Sequence, residues 1–243
     1  MFITRLISGI MLLIIAIIVF ALGNIFLLPV LWLISMIAYR ELTKALGCPV
    51  NGKGFNTLEI IGFVGVTAYY AAIWAGRNGT YGSDALYLLM VITAVFLAEL
   101  FAYVITFPRF KAQQVVAAFF SFMYAPVMLA FIYLTRETAN GIYMVWLILI
   151  SSWGCDTCAY AVGKLIGRRK IFPVLSPNKS LEGCIGGVLG SAIIGGLYGR
   201  FFVEAVYPER SITFIVALIC ALGAVMSMVG DLAASAIKRN NNI

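Results

Sequence analysis

Histidine is absent from this 243-residue chain, and charge is scarce: Asp, Glu, Lys and Arg together make up 11% of it. Soluble domains carry about 25% charged residues and about 45–50% apolar ones. Here 63% is hydrophobic, which leaves too little polar surface to cover a water-facing globule. The composition excludes an ordinary soluble domain and places the chain in a bilayer. The length allows one membrane domain and no separate soluble domain of ordinary size. No secretory leader stands out either: Arg5 precedes a long apolar run, and no small-residue cleavage site followed by a polar region is seen after it. Five cysteines are present, and Cys155-Asp-Thr-Cys158 has CxxC spacing. With no second Cys pair and no His, these read as small apolar packing residues rather than a metal or redox site. A Walker-type phosphate loop is lacking too, because Gly163-Lys164 is followed by Leu165. No repeat stands out, nor any low-complexity tract beyond Asn240-Asn241-Asn242.

What remains is a series of apolar runs. A spanning helix needs about 20 such residues. The candidates are 7–22, 25–39, 58–74, 85–107, 115–134, 141–162, 184–203 and 212–237. The fold class expected is therefore all-α, a polytopic transmembrane bundle of about eight spans. Residues 1–140 supply N-terminal helices, and 141–243 supply the helices and loop that carry the polar motifs. The first two runs are short and divided only by Gly23-Asn24, so a hairpin and one kinked element both fit. Breaks at Gly47-Cys48-Pro49 and Phe107-Pro108 suit helices ending at an interface.

Lys and Arg give the orientation. Eight spans leave Arg77, Arg136, Arg200 and Arg210 on one side and the other thirteen of the 17 basic residues on the opposite side. The richer side, with the N-terminus and the 164–179 loop, is read as cytoplasmic. The net charge of +7 is then a topology signal, and no nucleic-acid partner is needed to explain it.

Ionisable groups within spans cost about 2.5–3.5 kcal/mol on insertion scales and are functional candidates. Asp156 lies on a helical face with Ser152, Tyr160 and Lys164 at four-residue spacing. An internal Asp–Lys glue is the plainer reading, and a functional one is favoured. Asp231 follows Gly230 and shares a face with Ser235 and Lys238. Two such carboxylates suit Mg²⁺, which favours oxygen ligands and bridges to phosphates. Glu99 has only apolar neighbours and divides evenly between packing and site roles. The Arg168-Arg169-Lys170 triplet can attract anionic headgroups, but for the triplet alone an ordinary positive-inside loop is the favoured reading. In Ser176-Pro177-Asn178-Lys179-Ser180-Leu181-Glu182-Gly183, Ser or Asn can cap a helix and Pro fits a first helical turn. Lys179 and the Ser180 hydroxyl at that helix start would cradle phosphate, and Glu182 would join a metal shell or orient Lys179. Gly186-x-x-x-Gly190 and Gly195-x-x-x-Gly199 read as close helix packing.

Taken in order, Asp156-Thr157-Cys158-Ala159-Tyr160, Gly163-Lys164-Leu165-Ile166-Gly167-Arg168 and the Ser176–Gly183 block resemble consecutive motifs of phosphatidate cytidylyltransferases. Gly230-Asp231-Leu232 and Ser235-Ala236-Ile237-Lys238-Arg239 resemble the opening of that family's C-terminal signature. The likeness is close over 150–239. Earlier in the chain only Arg5 with Ser8-Gly9 and the Glu41-Leu42 pair share it. It implies transfer of CMP from CTP to phosphatidic acid with Mg²⁺ (a second cation left open), giving CDP-diacylglycerol and pyrophosphate at a bacterial inner membrane. A second copy of the chain is an open partner. On this basis Asp231 and Asp156 carry metal, and Lys179 and Ser180 hold phosphate. Glu182 shapes the nucleotide or metal shell, while Ser176, Lys164, Lys238 and Arg239 meet substrate. Cys158 stands where the family usually has a small residue such as Gly, and Ser180 replaces a usual Thr. The family signature continues past Lys238-Arg239 to a His-Gly-Gly segment and an Asp-Arg-x-Asp cluster, which supplies further metal-binding carboxylate. The present sequence ends at Ile243, which implies weak or no activity as it stands. Competing readings are a transporter or lipid translocator, an inactive membrane fragment that binds a partner, and a CTP-dependent polyprenol kinase.

Overall fold

The computed structural model describes residues 2–48, 55–77, 84–207 and 211–241. Lys53 and Arg210, counted for orientation, lie outside them, as does Asn242. The helices are α1 (Phe2–Leu22), α2 (Asn24–Ala45), α3 (Thr57–Arg77), α4 (Asp84–Ile105), α5 (Ala112–Phe122), α6 (Met128–Glu137), α7 (Gly141–Leu149), α8 (Cys155–Ile166), α9 (Leu181–Tyr198) and α10 (Thr213–Asn240). Single π-helical turns at Met123–Val127 and Ile150–Gly154 join α5 to α6 and α7 to α8, and another at Gly199–Val203 extends α9. Among the described residues these make eight helical rods, as the apolar runs imply. Seven of them are long and apolar enough to cross a membrane, and α1 contributes the shorter apolar stretch Met11–Leu22. The chain is an integral membrane protein of helical class.

Gly23 settles the relation of the first two runs. Its φ of +78° leaves the right-handed helical region, so α1 and α2 are separate helices. Both are longer than the sequence runs that announced them. Charged residues do not stop α2 at 39, because Arg40 stacks its guanidinium 4.7 Å over the Phe55 ring and Lys44 pairs with Glu41 at 3.0 Å. Long basic side chains reach back to the interface while the helix continues.

Two compact units form, Met1–Glu137 and Thr138–Ile243. In the first, Cys48, Leu58, Ala102, Phe110, Val115 and Ala118 make a core. Asn56 and Glu59 exchange backbone and side-chain hydrogen bonds of 2.8 and 3.0 Å at the start of α3, a reciprocal cap. Glu99 belongs to this unit, fully buried, and neither carboxylate oxygen has a hydrogen-bond partner among the described residues.

In the second unit α9 packs against both α8 and α10, and each glycine pair takes one of them. Gly186 lies against Val162 and Gly190 against Cys158 of α8; Gly195 lies against Cys220 and Gly199 against Val216 of α10. The packing reading of these motifs is the structural one. All five cysteines are free. Where the π turn frees the carbonyl of Ile150, the Ser191 hydroxyl of α9 lies 3.1 Å from it and 3.3 Å from the Cys220 carbonyl of α10. One hydroxyl thus joins three rods.

Candidate active site

The second unit gathers the chemistry. Asp156 sits in the first turn of α8, immediately after the π turn, and is exposed. Asp231 sits in α10, on a side chain 54% exposed, and Lys179 sits in the loop before α9. Lys179 Nζ stands 2.5 Å from Asp231 Oδ2. Asp156 lies within electrostatic range of both. Lys179 and Asp231 thus form an ion pair across two segments, and Asp156 on a third is near enough to feel their charges. The ammonium of Lys179 is buried at its tip and has no hydrogen bond of proper geometry among the described residues. An ammonium has three protons to donate, and oriented acceptors such as phosphate oxygens would satisfy them.

The loop is shaped to hold Lys179 there. Lys170 and Ser180 form an antiparallel bridge, with Leu181 N–H donating to the Arg169 carbonyl at 2.8 Å and Ile171 N–H to the Lys179 carbonyl at 3.4 Å. Glu182 accepts the backbone N–H groups of Arg168 and Arg169 at 3.0 and 3.2 Å. That carboxylate ties the basic arm to the start of α9, a different post from the one expected beside Lys179. Ser180 is the N-cap of α9, its hydroxyl accepting from Gly183 N–H at 3.2 Å, and it is buried at 4% exposure. The capping reading of the Ser176–Gly183 block thus falls on Ser180, whose hydroxyl lies beside Gly163 and Gly167. Pro177 falls in the loop, four residues before the first helical residue, so the first-turn expectation for it fails. Ser176 accepts from Lys179 N–H at 3.2 Å and donates its own N–H to Phe172 at 2.8 Å, which shapes the approach to Lys179.

Other expected residues stand apart from the cluster. Lys164, exposed in the last turn of α8, places its Nζ 6.0 Å over the Tyr160 ring. Ser152 falls in the π turn and donates back to the Ile148 carbonyl at 3.1 Å. Lys238 and Arg239 end α10, exposed and two turns beyond Asp231, about 10 Å along the axis. Sequence reasoning missed Ser191 and the loop-side backbone groups that Glu182 holds. A lone hydroxyl in the glycine-rich apolar run of α9 was the one available signal.

Among the described residues no group of three or more Cys, Asp or Glu is placed to enclose a metal ion. Mg²⁺ is commonly held by one or two carboxylates plus substrate phosphates, and Asp231 beside Lys179, with Asp156 in electrostatic range, are the carboxylates available for that.

Residues 3–243 match the model of the cytidylyltransferase family. A phosphatidate cytidylyltransferase of Staphylococcus saprophyticus is 28% identical over 90% of this chain and 78% of its own length. One of Staphylococcus haemolyticus is 26% identical over 97% and 85% respectively. One of Haemophilus influenzae is 32% identical over 45% of this chain and 38% of its own length.

Proposed function

From the premise that the chain belongs to the cytidylyltransferase family, we propose that it transfers CMP from CTP to phosphatidic acid. The products are CDP-diacylglycerol and pyrophosphate, formed within the membrane in which the helices sit. The observation that carries this reading is the Lys179–Asp231 pair, with Asp156 in electrostatic range of both and the Lys179 ammonium short of well-placed acceptors.

In the reaction a phosphate oxygen of the lipid bonds to the α-phosphorus of CTP. The bond from that phosphorus to the bridging oxygen breaks, and pyrophosphate leaves with the electron pair. Little covalent work falls to the protein; positioning and charge neutralisation do most of it. Lys179 donates to phosphate oxygens at the reacting end. Asp231 and Asp156 would hold Mg²⁺, which when bound screens the phosphates from one another. A second cation would rest mainly on substrate oxygens. Glu182, Ser180 and Ser176 are positioning residues that keep the loop, and so Lys179, in place. Lys164 at the end of α8 and Lys238 and Arg239 at the end of α10 are cationic groups for phosphates and headgroups at the surface. The excess of basic residues on the side of the 164–179 loop supports a cytoplasmic loop and N-terminus, in a bacterial inner membrane.

The test is labelled CTP with phosphatidic acid in vesicles holding the full chain. Label in CDP-diacylglycerol above the background of the Asp231→Asn chain is the expected result. Lys179→Ala should lower kcat/KM by about 10²–10³-fold, the usual loss when one preorganised donor is removed, and Lys179→Arg should recover part of it. Equal lipid labelling by native and Asp231→Asn chains would overturn the proposal, and a phosphorylated lipid free of cytidine would point to a CTP-dependent kinase.

A further inference from the structure

The bridged loop between α8 and α9 has an outer end that the site does not use. Arg168, Arg169 and Lys170 are exposed, and none of them forms an ion pair among the described residues. Glu182 accepts hydrogen bonds from the backbone of Arg168 and Arg169 and, among the described residues, forms none with their side chains. Lys170 Nζ makes a 3.4 Å hydrogen bond to the Asn178 carbonyl. Beyond the bridge the loop carries Phe172, 37% exposed, and Val174, 90% exposed, and before it α8 ends on Leu165 and Ile166, 82% and 61% exposed. Apolar side chains this bare beside three exposed cations match the headgroup–acyl boundary of an anionic bilayer.

The dimensions agree. Four residues past the bridge extend at most about 13 Å, and the polar layer on each side of a bilayer is about 5–8 Å thick. A loop leaving a membrane helix at Ile166 and returning at Leu181 can lay its tip in that layer without leaving the site.

We propose that residues 168–175 form an interfacial anchor that docks on the anionic lipid surface of the membrane surrounding the chain. Phe172 and Val174 enter the acyl boundary, and Arg168, Arg169 and Lys170 bind headgroup phosphates. The docked arm pairs with the segment that holds Lys179, through Lys170–Ser180 and Arg169–Leu181. Surface charge therefore steadies Lys179. This last step alone rests on the cytidylyl-transfer reading.

The anchor is tested in the full chain with Val174→Trp, measured as the emission added over the native tryptophans. Vesicles of phosphatidylcholine alone are compared with vesicles containing phosphatidylglycerol, both with brominated acyl chains. Quenching of the added emission should be roughly twofold or more greater with the anionic lipid. It should fall in about 1 M salt, where the screening length is about 3 Å. Replacing Arg168, Arg169 and Lys170 together by Gln should bring it back to the phosphatidylcholine level. Unquenched, water-like emission in both vesicles overturns the anchor, and equal quenching in both overturns the anionic partner. Hydrogen exchange at the Arg168 and Arg169 amides of the native chain, slowed by phosphatidylglycerol, gives the same answer if a variant misfolds. Lipid labelling from CTP in the same vesicles separates the two ideas. A quenched tip without turnover leaves the anchor standing and the reaction in doubt, and turnover with a water-exposed tip does the reverse.

Discussion

Glu204 lies just past the π turn that ends the α9 rod, and its carboxylate organises the start of α10. It accepts from the Thr213 hydroxyl at 2.6 Å and from Thr213 N–H at 3.2 Å, and it pairs with Arg200. Thr213 is the first residue of α10, and its own N-cap position, Ile212, has no capping side chain. An anion from outside the helix takes that duty, where free N–H groups and the helix dipole favour it. The Thr213 hydroxyl first, then Arg200 and Thr213 N–H, hold the carboxyl down to about 2 from its usual 4.5. A depressed carboxylate stabilises the fold fully above its unfolded pKa and loses that contribution as pH falls through the folded one. Glu204→Gln should thus lower the thermal midpoint in detergent at pH 7, with the gap from native closing between pH 4.5 and 2. A gap of constant size across that window would show that the charge is not what counts.

Among the elements, α9 sets how close the site residues come, because its glycines let neighbouring backbones approach. A Cβ at Gly183 would stand 2.9 Å from the Ala159 carbonyl of α8. Gly183→Ala should therefore cost about 1–3 kcal/mol by overpacking, visible as a lower unfolding midpoint. Gly9→Ala, with nothing within 4 Å of the added carbon, should not lower it. If both variants melt alike, close approach is not the reason for glycine at 183. The helices themselves were legible, since apolar runs of spanning length have few other outcomes. Their ends were less so, as at Arg40, where a flexible base reaches the interface from inside the helix. The π turns left no mark except Pro126 in the first of them. Asp156, Lys179 and Asp231 could be named from their blocks, but which block residues meet depends on helix contacts. Ser180 and Glu182 show the difference: as letters they read as ligands, and as placed side chains they cap a helix and tie a loop.

For the molecule as a whole, the decisive quantity is the charge the site must accept. The cluster holds one cation and two anions, and the cation already faces one of the anions at 2.5 Å. A triphosphate and a lipid phosphate bring several further negative charges into a chain with few ionisable groups, where such charges interact strongly. Lys179 alone cannot balance them, and Lys238 and Arg239 lie about two helical turns away. Asp156 and Asp231 would hold a divalent cation, which would offset part of the added phosphate charge, while Lys179 would donate to phosphate oxygens. Turnover should then vanish with a chelator and return with Mg²⁺. Asp231→Asn should leave whatever activity it retains needing at least about tenfold more Mg²⁺ for half-saturation, equivalent to about 1.4 kcal/mol of lost binding. Lys179→Ala should lower the maximum without that shift in Mg²⁺ requirement. An equal shift in both variants would mean that the aspartate and the lysine act as a mere structural pair, and the division between metal-holding and phosphate-holding groups would have to be abandoned.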